Sequence, residues 1–314
     1  MKFCFSTEVV DLDNQAPNRN KRESKYFWDE LNHLIAAGGF TSIEVPYEPK
    51  WDFGGRSGIP RTKRSLAVKF GTVSSYVTYL KENGITDGIV CFHLNPGLFA
   101  SSGILPMFLG ATGHYAEEMI ETAAEAGCGI VTRSVTPTYY AAQKLIGEGS
   151  EEEFLDAVAG MISGLAAKAE EKGVVLCLKN EFWSLLRGEK IISFLEKVPA
   201  SVKLDADTAN LRIAGVSPEK FIRENADRIG VVHFTDTAFE DKDEAWKSVL
   251  PEFPPSIATK VFRDMGDGTV DFEAVLKEIK ASCPDVTVVI NPRNSYDISR
   301  SILRSRCFCD HINA

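Results

Sequence analysis

Short apolar runs alternate with amphipathic helical stretches along the whole chain of 314 residues. The apolar runs are rich in Val, Ile, Leu and Phe. Several are nearly continuous rather than alternating, which is typical of strands covered on both faces. This pattern predicts strands at 2–6, 41–46, 88–93, 129–135, 174–179, 202–207, 230–235 and 286–291.

The segments between these strands have helical periodicity. The stripe Phe27, Leu31 and Leu34 predicts a helix over 23–37 that ends at the glycine pair 38–39. The Ala-rich segment 151–173 starts with acids and has lysines near its end, so its charges match the helix dipole. Further predicted helices are 218–228, 270–282 and 298–306.

Each of the eight predicted strands is followed by a predicted helix, and this order favours a parallel sheet. Eight such units predict an α/β fold, a closed (β/α)8 TIM barrel. An open doubly wound sheet is the alternative, but FSTEVVDLDNQ lacks the glycine fingerprint that this fold needs after its first strand. We expect one barrel domain over 1–314, with enlarged loops at about 47–66, 99–113 and 237–265.

Composition and charge limit the classes of partner. The net charge is −9 and no basic face stands out, which argues against nucleic acid as a partner. No apolar run reaches the roughly 18 residues of a membrane span, and MKFCFSTEVV turns polar too early for a secretory signal. The seven scattered cysteines suit a reducing, cytoplasmic location. The tail RCFCDH is a weak metal pattern, and we favour a terminal segment with unpaired thiols.

Polar residues stand at or just after the ends of most predicted strands, where TIM barrels place their active sites. Lys179 and Glu181 share one face of the fifth strand because strand side chains repeat every two residues, and Asp205 and Asp207 do the same on the sixth. Because polar residues stand at the ends of several neighbouring strands, we predict a pocket there. Its other candidate residues are Glu44, His93, Arg133, Asn210, His233, Asp236, Asn291, Arg293 and, as an apolar wall of the pocket, Trp183.

The second half of the chain resembles the sugar phosphate isomerase/epimerase group with the xylose-isomerase-like barrel. The resemblance rests on KGVVLCLKN, LDADTAN, VVHFTD, GDGTVDFEAVL and VVIN. It implies one divalent metal, held by a glutamate, an aspartate, a histidine and a glutamate that end strands five to eight. It also implies that the two glutamates serve as acid and base.

Two of those four implied ligands are replaced in this chain. The implied positions fall on Lys179, Asp207, His233 and Asn291, and a nearby family histidine falls on Asn210. Lys179 in place of a metal ligand would put an ammonium where relatives hold a cation, and it could stabilise an enediolate oxygen. The alternatives are a structural Lys179–Asp207 ion pair and a shifted metal site of Glu181, Asp207 and His233 holding Mn²⁺, Mg²⁺ or Zn²⁺.

The other candidates also have structural interpretations. His93 is as consistent with a satisfied core histidine as with a hydroxyl contact, and Glu44 with a buried partner of Arg133. Arg293 could clamp an anionic group or simply pair with Asp236. The loop 51–65, with Arg56, Arg61, Lys63 and Arg64, could cover the site, although a solvated loop or a subunit contact is favoured.

The resemblance implies an isomerase or epimerase that acts on a small polyhydroxylated carbonyl compound by proton abstraction next to the carbonyl. Glu181 is the expected base, Lys179 and His233 stabilise the oxyanion, and Asp207 orients them. A lyase subunit that cleaves oxidised (C-)glycosides is one alternative. A non-catalytic sugar-binding or complex-forming barrel with a decayed metal site is the other. No cofactor is assigned apart from the alternative divalent metal, and a homo-oligomer or a smaller partner subunit stays open.

Overall fold

The computed structural model describes residues 1, 3–12, 24–52, 58–257 and 259–313 of the chain. Within this part, eight parallel strands close into a barrel, and helices cover its outside. The predicted closed (β/α)8 barrel is therefore confirmed. Residue 23 of the first predicted helix, Arg56 and part of the predicted loop 47–66 lie outside the described residues.

The barrel strands agree with the predicted ones to within about one residue at each end. They run around the barrel in the order β1, β2, β3, β4, β5, β6, β7 and β10, and β10 pairs with β1 to close it. Two short strands, β8 and β9, form a separate antiparallel pair. The ten strands are β1 Phe3–Ser6, β2 Ser42–Pro46, β3 Gly88–Leu94, β4 Ile130–Ser134, β5 Val175–Lys179, β6 Lys203–Asp207, β7 Ile229–Phe234, β8 Asp236–Thr237, β9 Phe262–Arg263 and β10 Thr287–Ile290.

The helices between the strands begin and end at residues that suit helix termini. Ser150 and Glu153 form a capping box at the start of the longest predicted helix, and Gly173 ends that helix in the left-handed conformation. The α-helices are α1 Lys25–Ala37, α2 Lys63–Phe70, α3 Val73–Glu82, α4 Leu105–Ala126, α5 Tyr139–Ile146, α6 Glu151–Lys172, α7 Lys190–Leu195, α8 Thr208–Ile213, α9 Pro218–Glu224, α10 Phe272–Ser282 and α11 Ile298–Asn313.

Two segments differ from the sequence expectation. The predicted loop 99–113 is mostly helical, because Pro96–Ser102 forms a 3-10 helix and α4 starts at Leu105. Phe108 is buried on the inner face of α4, whereas Ile104 and Met107 are exposed. The segment 237–265 holds β9 and the 3-10 turn Ala245–Lys247 and is otherwise irregular among its described residues.

Candidate active site

A cavity of about 640 Å³ lies at the carboxyl ends of the barrel strands. The loops after β1, β2, β3 and β10 form its wall together with the segment 250–253. Residues of both charges line it, so it suits a polar ligand. Its lining residues are Glu8, Val10, Leu12, Pro46, Tyr47, Glu48, Pro49, Lys50, Arg61, His93, Asn95, Gly97, Leu98, Leu250, Glu252, Phe253, Arg293 and Asn294.

Lys179, at the end of β5, is buried next to carboxylates. Its Nζ lies 3.3 Å from Asp207 Oδ2, and both side chains are fully buried. Asp207 accepts hydrogen bonds from Asn210 N at 3.0 Å and from Thr235 Oγ1 at 2.8 Å. Burial would lower the pKa of Lys179, but Asp207 and the other nearby acids outweigh it and raise that pKa above its usual range. The lysine is therefore an ammonium ion in the folded protein.

Glu181 lies two residues beyond Lys179 and is fully buried. Its Oε1 accepts a hydrogen bond from Ser134 Oγ at 3.0 Å, and its Oε2 lies 3.6 Å from Arg293 Nη1. Burial raises the pKa of Glu181 to about 7, although Arg293 and Lys179 act in the opposite direction. A carboxyl group that titrates near neutral pH suits a general base.

Arg293 connects three acids at the floor of the cavity. Its guanidinium lies 3.1 Å from Glu8 Oε1, 3.0 Å from Glu252 Oε1 and 3.6 Å from Glu181 Oε2. Burial opposes the charge of Arg293, but Glu252, Glu8 and Glu181 together raise its pKa above the usual range. Arg293 thus lies between the cavity and the buried Glu181. We call Lys179, Glu181, Asp207 and Arg293 the lysine cluster.

A second charged group, the histidine cluster, consists of Glu44, Asp205 and His233. The Nδ1 atom of His233 lies 2.6 Å from Asp205 Oδ1, and its Nε2 atom lies 2.6 Å from Glu44 Oε2. Ser6 Oγ donates to Glu44 Oε1 at 2.7 Å, and Thr132 Oγ1 donates to Asp205 Oδ2 at 2.7 Å. Every polar side-chain atom of the cluster therefore has a hydrogen-bond partner.

The charges of the histidine cluster stabilise one another. Burial alone would lower the pKa of His233, but Asp205 and Glu44 raise it to about 10. Burial would raise the pKa of both carboxyls, but the His233 charge and hydrogen bonds lower them below their usual range. Since both ring nitrogens are engaged, His233 has no atom left for a substrate. In this arrangement the hydrogen bonds within the cluster occupy the atoms of His233 and Glu44 that were expected to contact the substrate, so those contacts stay predictions.

Several buried polar atoms of the site have no hydrogen-bond partner among the described residues. All belong to residues at or beyond the carboxyl ends of barrel strands, and they include donors and acceptors. Leaving a buried polar group without a hydrogen bond costs about 1–3 kcal/mol. Ion pairs reduce this cost for Lys179, which faces Asp207, and for Arg293 and Glu181, which face each other, but these contacts do not complete hydrogen bonds. These atoms are Lys179 Nζ, Glu181 Oε2, Arg293 Nε and Nη1, His93 Nε2, Asn210 Nδ2 and Asn291 Oδ1.

Two predicted site residues, Arg133 and Asp236, belong to neither cluster and do not line the cavity. Arg133 is fully buried, but it donates to the backbone oxygens of Ser134 and Val135 and lies 4.0 Å from the sulfur of Met161 in α6. It therefore packs between β4 and the outer helices, and it is not the partner of Glu44. The inward-facing residues of β4 are its neighbours Thr132 and Ser134, because strand side chains alternate.

Asp236 is the second exception. Its carboxylate accepts hydrogen bonds from the backbone nitrogens of Gly266 and Gly268 at 2.9 Å, and also from those of Thr237 and Val270. It thereby fixes the turn before α10 and contacts neither Arg293 nor the cavity. The expected pairing of Asp236 with Arg293 is therefore wrong, since Arg293 pairs with Glu8, Glu181 and Glu252, and substrate binding by Asp236 stays a prediction.

Of the four remaining predicted residues, His93 lines the cavity and the other three lie around the lysine cluster. Asn210 Oδ1 accepts from Phe182 N at 2.8 Å, and Asn291 Nδ2 donates to Glu8 Oε2 at 2.9 Å. Trp183 is buried and donates from Nε1 to Glu252 Oε1 at 3.2 Å. Its ring packs in an apolar cluster with Phe182 and Phe262, so it supports the site from behind and does not line the cavity.

Sequence reasoning missed Glu8 and Glu252, which carry two of the three carboxylates on Arg293. Glu8 follows β1 within the short helix Thr7–Val9, so its position after a strand was a usable signal. Glu252 lies in the irregular segment after β8, where no periodic pattern marks it. The sequence also did not indicate the hydroxyls of Thr132 and Ser134, because the charged Arg133 between them is the residue that a polar strand end favours as inward-facing.

Comparison with known proteins agrees with the fold. A sequence profile of the xylose isomerase-like TIM barrel family matches residues 33–304, and the chain belongs to this family. An inosose dehydratase of Lacticaseibacillus casei is 30% identical over 92 residues. That match spans 29% of this chain and 30% of the relative, less than a third of either.

Solved structures with low sequence identity share the whole fold. An L-ribulose 3-epimerase has a TM-score of 0.70 at 15% identity, covering 99% of this chain and 94% of that one. The probable 3-DHS dehydratase AsbF from Bacillus anthracis has a TM-score of 0.69 at 11% identity, covering 99% of both chains. The zinc-bound IOLI protein has a TM-score of 0.65 at 15% identity, covering 99% and 98%.

The residues present do not fit the divalent metal that the family resemblance implies. At the four implied positions the chain has an ammonium, an amide, a histidine with both nitrogens engaged, and Asp207 with both oxygens engaged. Among the described residues no three His, Cys, Asp or Glu side chains are arranged to hold a metal ion. The alternative set of Glu181, Asp207 and His233 is therefore not assembled as a metal site.

No described helix is both long and apolar enough to cross a bilayer. The tail cysteines lie within α11, where Cys309 is buried and Cys307 is exposed, and both are free thiols.

Proposed function

We propose that the protein is an enzyme that removes a proton next to the carbonyl group of a small polyhydroxylated compound. The observation that carries the proposal is the set of unpaired buried donors and acceptors around the lysine cluster. A compound with several hydroxyls and one carbonyl offers both kinds of partner at once, so it can satisfy such a mixed set.

Lys179 has the role of stabilising the oxyanion. Its ammonium is held charged by Asp207, Asp205 and Glu181, yet Nζ makes no hydrogen bond to a described residue. Asp207 faces Nζ at 3.3 Å, so the N–H donors that do not point to Asp207 are available for an oxygen that gains negative charge during proton abstraction. In a site closed to water such a contact is worth more than it is at the surface.

Glu181 is the proposed base. Ser134 fixes one carboxylate oxygen, and the other oxygen, Oε2, has no hydrogen-bond partner among the described residues. Its pKa of about 7 lets it exist as a carboxylate at neutral pH and still hold a proton that it has taken. Arg293 contacts Oε2 from the cavity side at 3.6 Å, so a substrate that enters the cavity meets Arg293 first and reaches Glu181 by displacing it.

The names of the relatives support the same first step. They include a 3-epimerase and two dehydratases. Isomerisation, epimerisation and water elimination next to a carbonyl can all begin with removal of a neighbouring proton, so the proposal does not depend on which of them follows. A small carbohydrate-like substrate fits all three names.

The test is exchange of substrate hydrogen with heavy water. Ketoses and inososes are incubated with the protein in D₂O, deuterium at carbon is measured by NMR, and water loss is followed by the absorbance of a conjugated enone. We expect exchange with at least one compound, and a loss of about 10²–10⁴-fold in Glu181→Gln. The control Glu196→Gln changes an exposed glutamate outside the site and should exchange normally. Binding without exchange on any compound would favour a non-catalytic sugar-binding barrel instead.

A further inference from the structure

His93, at the end of β3, has one engaged and one unpaired ring nitrogen. Its Nδ1 atom lies 3.0 Å from Thr132 Oγ1. Its Nε2 atom is buried and has no hydrogen-bond partner among the described residues. Only 3% of the residue is exposed, yet it lines the cavity. The unpaired nitrogen is therefore available to a ligand there.

The proton on Thr132 decides which nitrogen of His93 carries a hydrogen. A threonine hydroxyl has one proton, and here it points to Asp205 Oδ2 at 2.7 Å. Asp205 is ionised, because burial is outweighed by His233 and by hydrogen bonds that lower its pKa, so it can only accept. Thr132 Oγ1 must then accept from His93, and the donor is Nδ1–H.

The histidine cluster fixes the direction of the hydrogen bond from Thr132 to Asp205. Asp205 cannot turn its Oδ2 away without losing His233, whose Nδ1 lies 2.6 Å from Oδ1. His233 is in turn held by Glu44, and Glu44 by Ser6. A chain of donors and acceptors thus runs from Ser6 to His93, and each member has a single compatible orientation.

His93 stays neutral under ordinary conditions. Burial lowers its pKa to about 4, and the Lys179 ammonium acts in the same direction. Glu8 and Glu44 oppose this shift, whereas the His233 charge adds to it. With one proton on Nδ1 and none elsewhere, Nε2 carries a free lone pair at neutral pH.

We propose that His93 Nε2 accepts a hydrogen bond from a substrate hydroxyl, and that Thr132 is the positioning residue that keeps this nitrogen unprotonated. The inference rests on the proposed function, because it assigns one hydroxyl of the same substrate to a named atom. A hydroxyl can donate at this point, whereas a carbonyl or carboxylate oxygen cannot. The site therefore selects compounds with a hydroxyl next to His93 and rejects the deoxy or oxidised analogue.

The tautomer is tested on the ligand-free protein by ¹⁵N NMR of its five histidines. His93 is assigned by the signal that disappears in His93→Gln. We expect a protonated Nδ1 and an unprotonated Nε2, unchanged between pH 8 and 5.5. Thr132→Val should allow protonated Nε2 to appear, and Thr132→Ser should restore the wild-type spectrum. A protonated Nε2 in the wild type, or no change in Thr132→Val, overturns the inference.

The hydroxyl contact is tested by calorimetry with a ketose that exchanges in D₂O and its monodeoxy analogues. We expect one analogue to bind at least about 100-fold more weakly to the wild type, as for substrate hydroxyls that meet a dedicated partner. His93→Phe should bind that analogue and the parent almost equally. Equal discrimination in His93→Phe and wild type contradicts the inference. If no compound exchanges, the proposed function fails, while the nitrogen spectrum still decides the tautomer.

Discussion

The two buried charged clusters at the barrel mouth differ in one respect, which is how completely their polar atoms are paired. The histidine cluster has a hydrogen-bond partner for every ring nitrogen and carboxylate oxygen. In the lysine cluster the Lys179 amine, the Glu181 Oε2 atom and the Arg293 Nη1 atom have none. Both clusters are almost completely excluded from solvent, so burial alone does not distinguish them.

The difference assigns different physical roles to the two clusters. Fully paired buried charges stabilise a single arrangement, and removal of one member leaves an uncompensated charge. Partly paired buried charges cost stability in the free protein, and a ligand that pairs them recovers this cost. We therefore expect changes in the histidine cluster to affect folding first and changes in the lysine cluster to affect chemistry first.

The largest expected effect is on folding, in His233→Phe. This change leaves Glu44 and Asp205 buried without their shared cation, and loss of one partner of such a group costs about 3–5 kcal/mol. Denaturant unfolding followed by circular dichroism measures it. His311→Phe is the control, since His311 is 77% exposed and should change stability by less than about 0.5 kcal/mol.

The same variant has a distinct pH signature. The pKa of His233 rises from its ordinary 6.5 to about 10 on folding. The contribution of the His233 charge to the free energy of unfolding is therefore complete below pH 6.5 and is lost as the pH increases through 10. Wild-type stability should fall over this interval, and His233→Phe should lose that slope. An equal slope in both proteins would contradict the charge assignment of the histidine cluster.

The next effect is on the pH dependence of exchange. Glu181 must be a carboxylate to take a proton, and its pKa is about 7. Exchange should therefore rise with pH up to about 7 and fall roughly tenfold per unit below it. The residual exchange rate of Glu181→Gln should not show this fall below pH 7. If the exchange rate of Glu181→Gln still fell below about pH 7 as in the wild type, the base would be another residue.

A smaller effect is expected in the turn that Asp236 organises outside both clusters. A methyl group on Gly268 would overlap the Asp236 carboxylate and the Thr237 nitrogen, because both lie closer to the Cβ position than atoms can approach without a shift. Gly268→Ala should destabilise the protein by about 1–3 kcal/mol, with exchange per folded molecule unchanged. The control Gly110→Ala, where a Cβ meets no atom within 4 Å in the middle of α4, should be neutral or slightly stabilising. A loss of exchange in Gly268→Ala would mean that this turn belongs to the site.

Strand periodicity was enough to predict the barrel, because each buried parallel strand is an apolar run that ends in a polar residue. The same signal predicted Lys179, Glu181, Asp205 and Asp207 together, since alternate strand residues share a face. It failed at Arg133, where only the register shows that the charged residue of β4 faces outward. Glu252 could not be found this way, because irregular segments carry no periodic signal.

The chemistry of the two clusters was harder to predict than their location. His233 looked like a substrate contact until the structure placed Glu44 and Asp205 on its two nitrogens. That arrangement joins β2, β6 and β7, and a single sequence does not show which side chains meet across a barrel. Hydrogen-bond saturation therefore needs coordinates, whereas the position of a polar strand end does not.

The most direct test of the account is the rate of deuterium incorporation in Lys179→Met, expressed per folded molecule. The matched control is Lys203→Met, which removes an amine at the opposite end of the neighbouring strand, where it donates to Asp227 O at 2.9 Å. We expect Lys179→Met to lose at least about 100-fold in exchange rate, the usual scale for one oxyanion contact, and Lys203→Met to exchange normally. Exchange in Lys179→Met at the wild-type rate would contradict a role of this ammonium in the reaction.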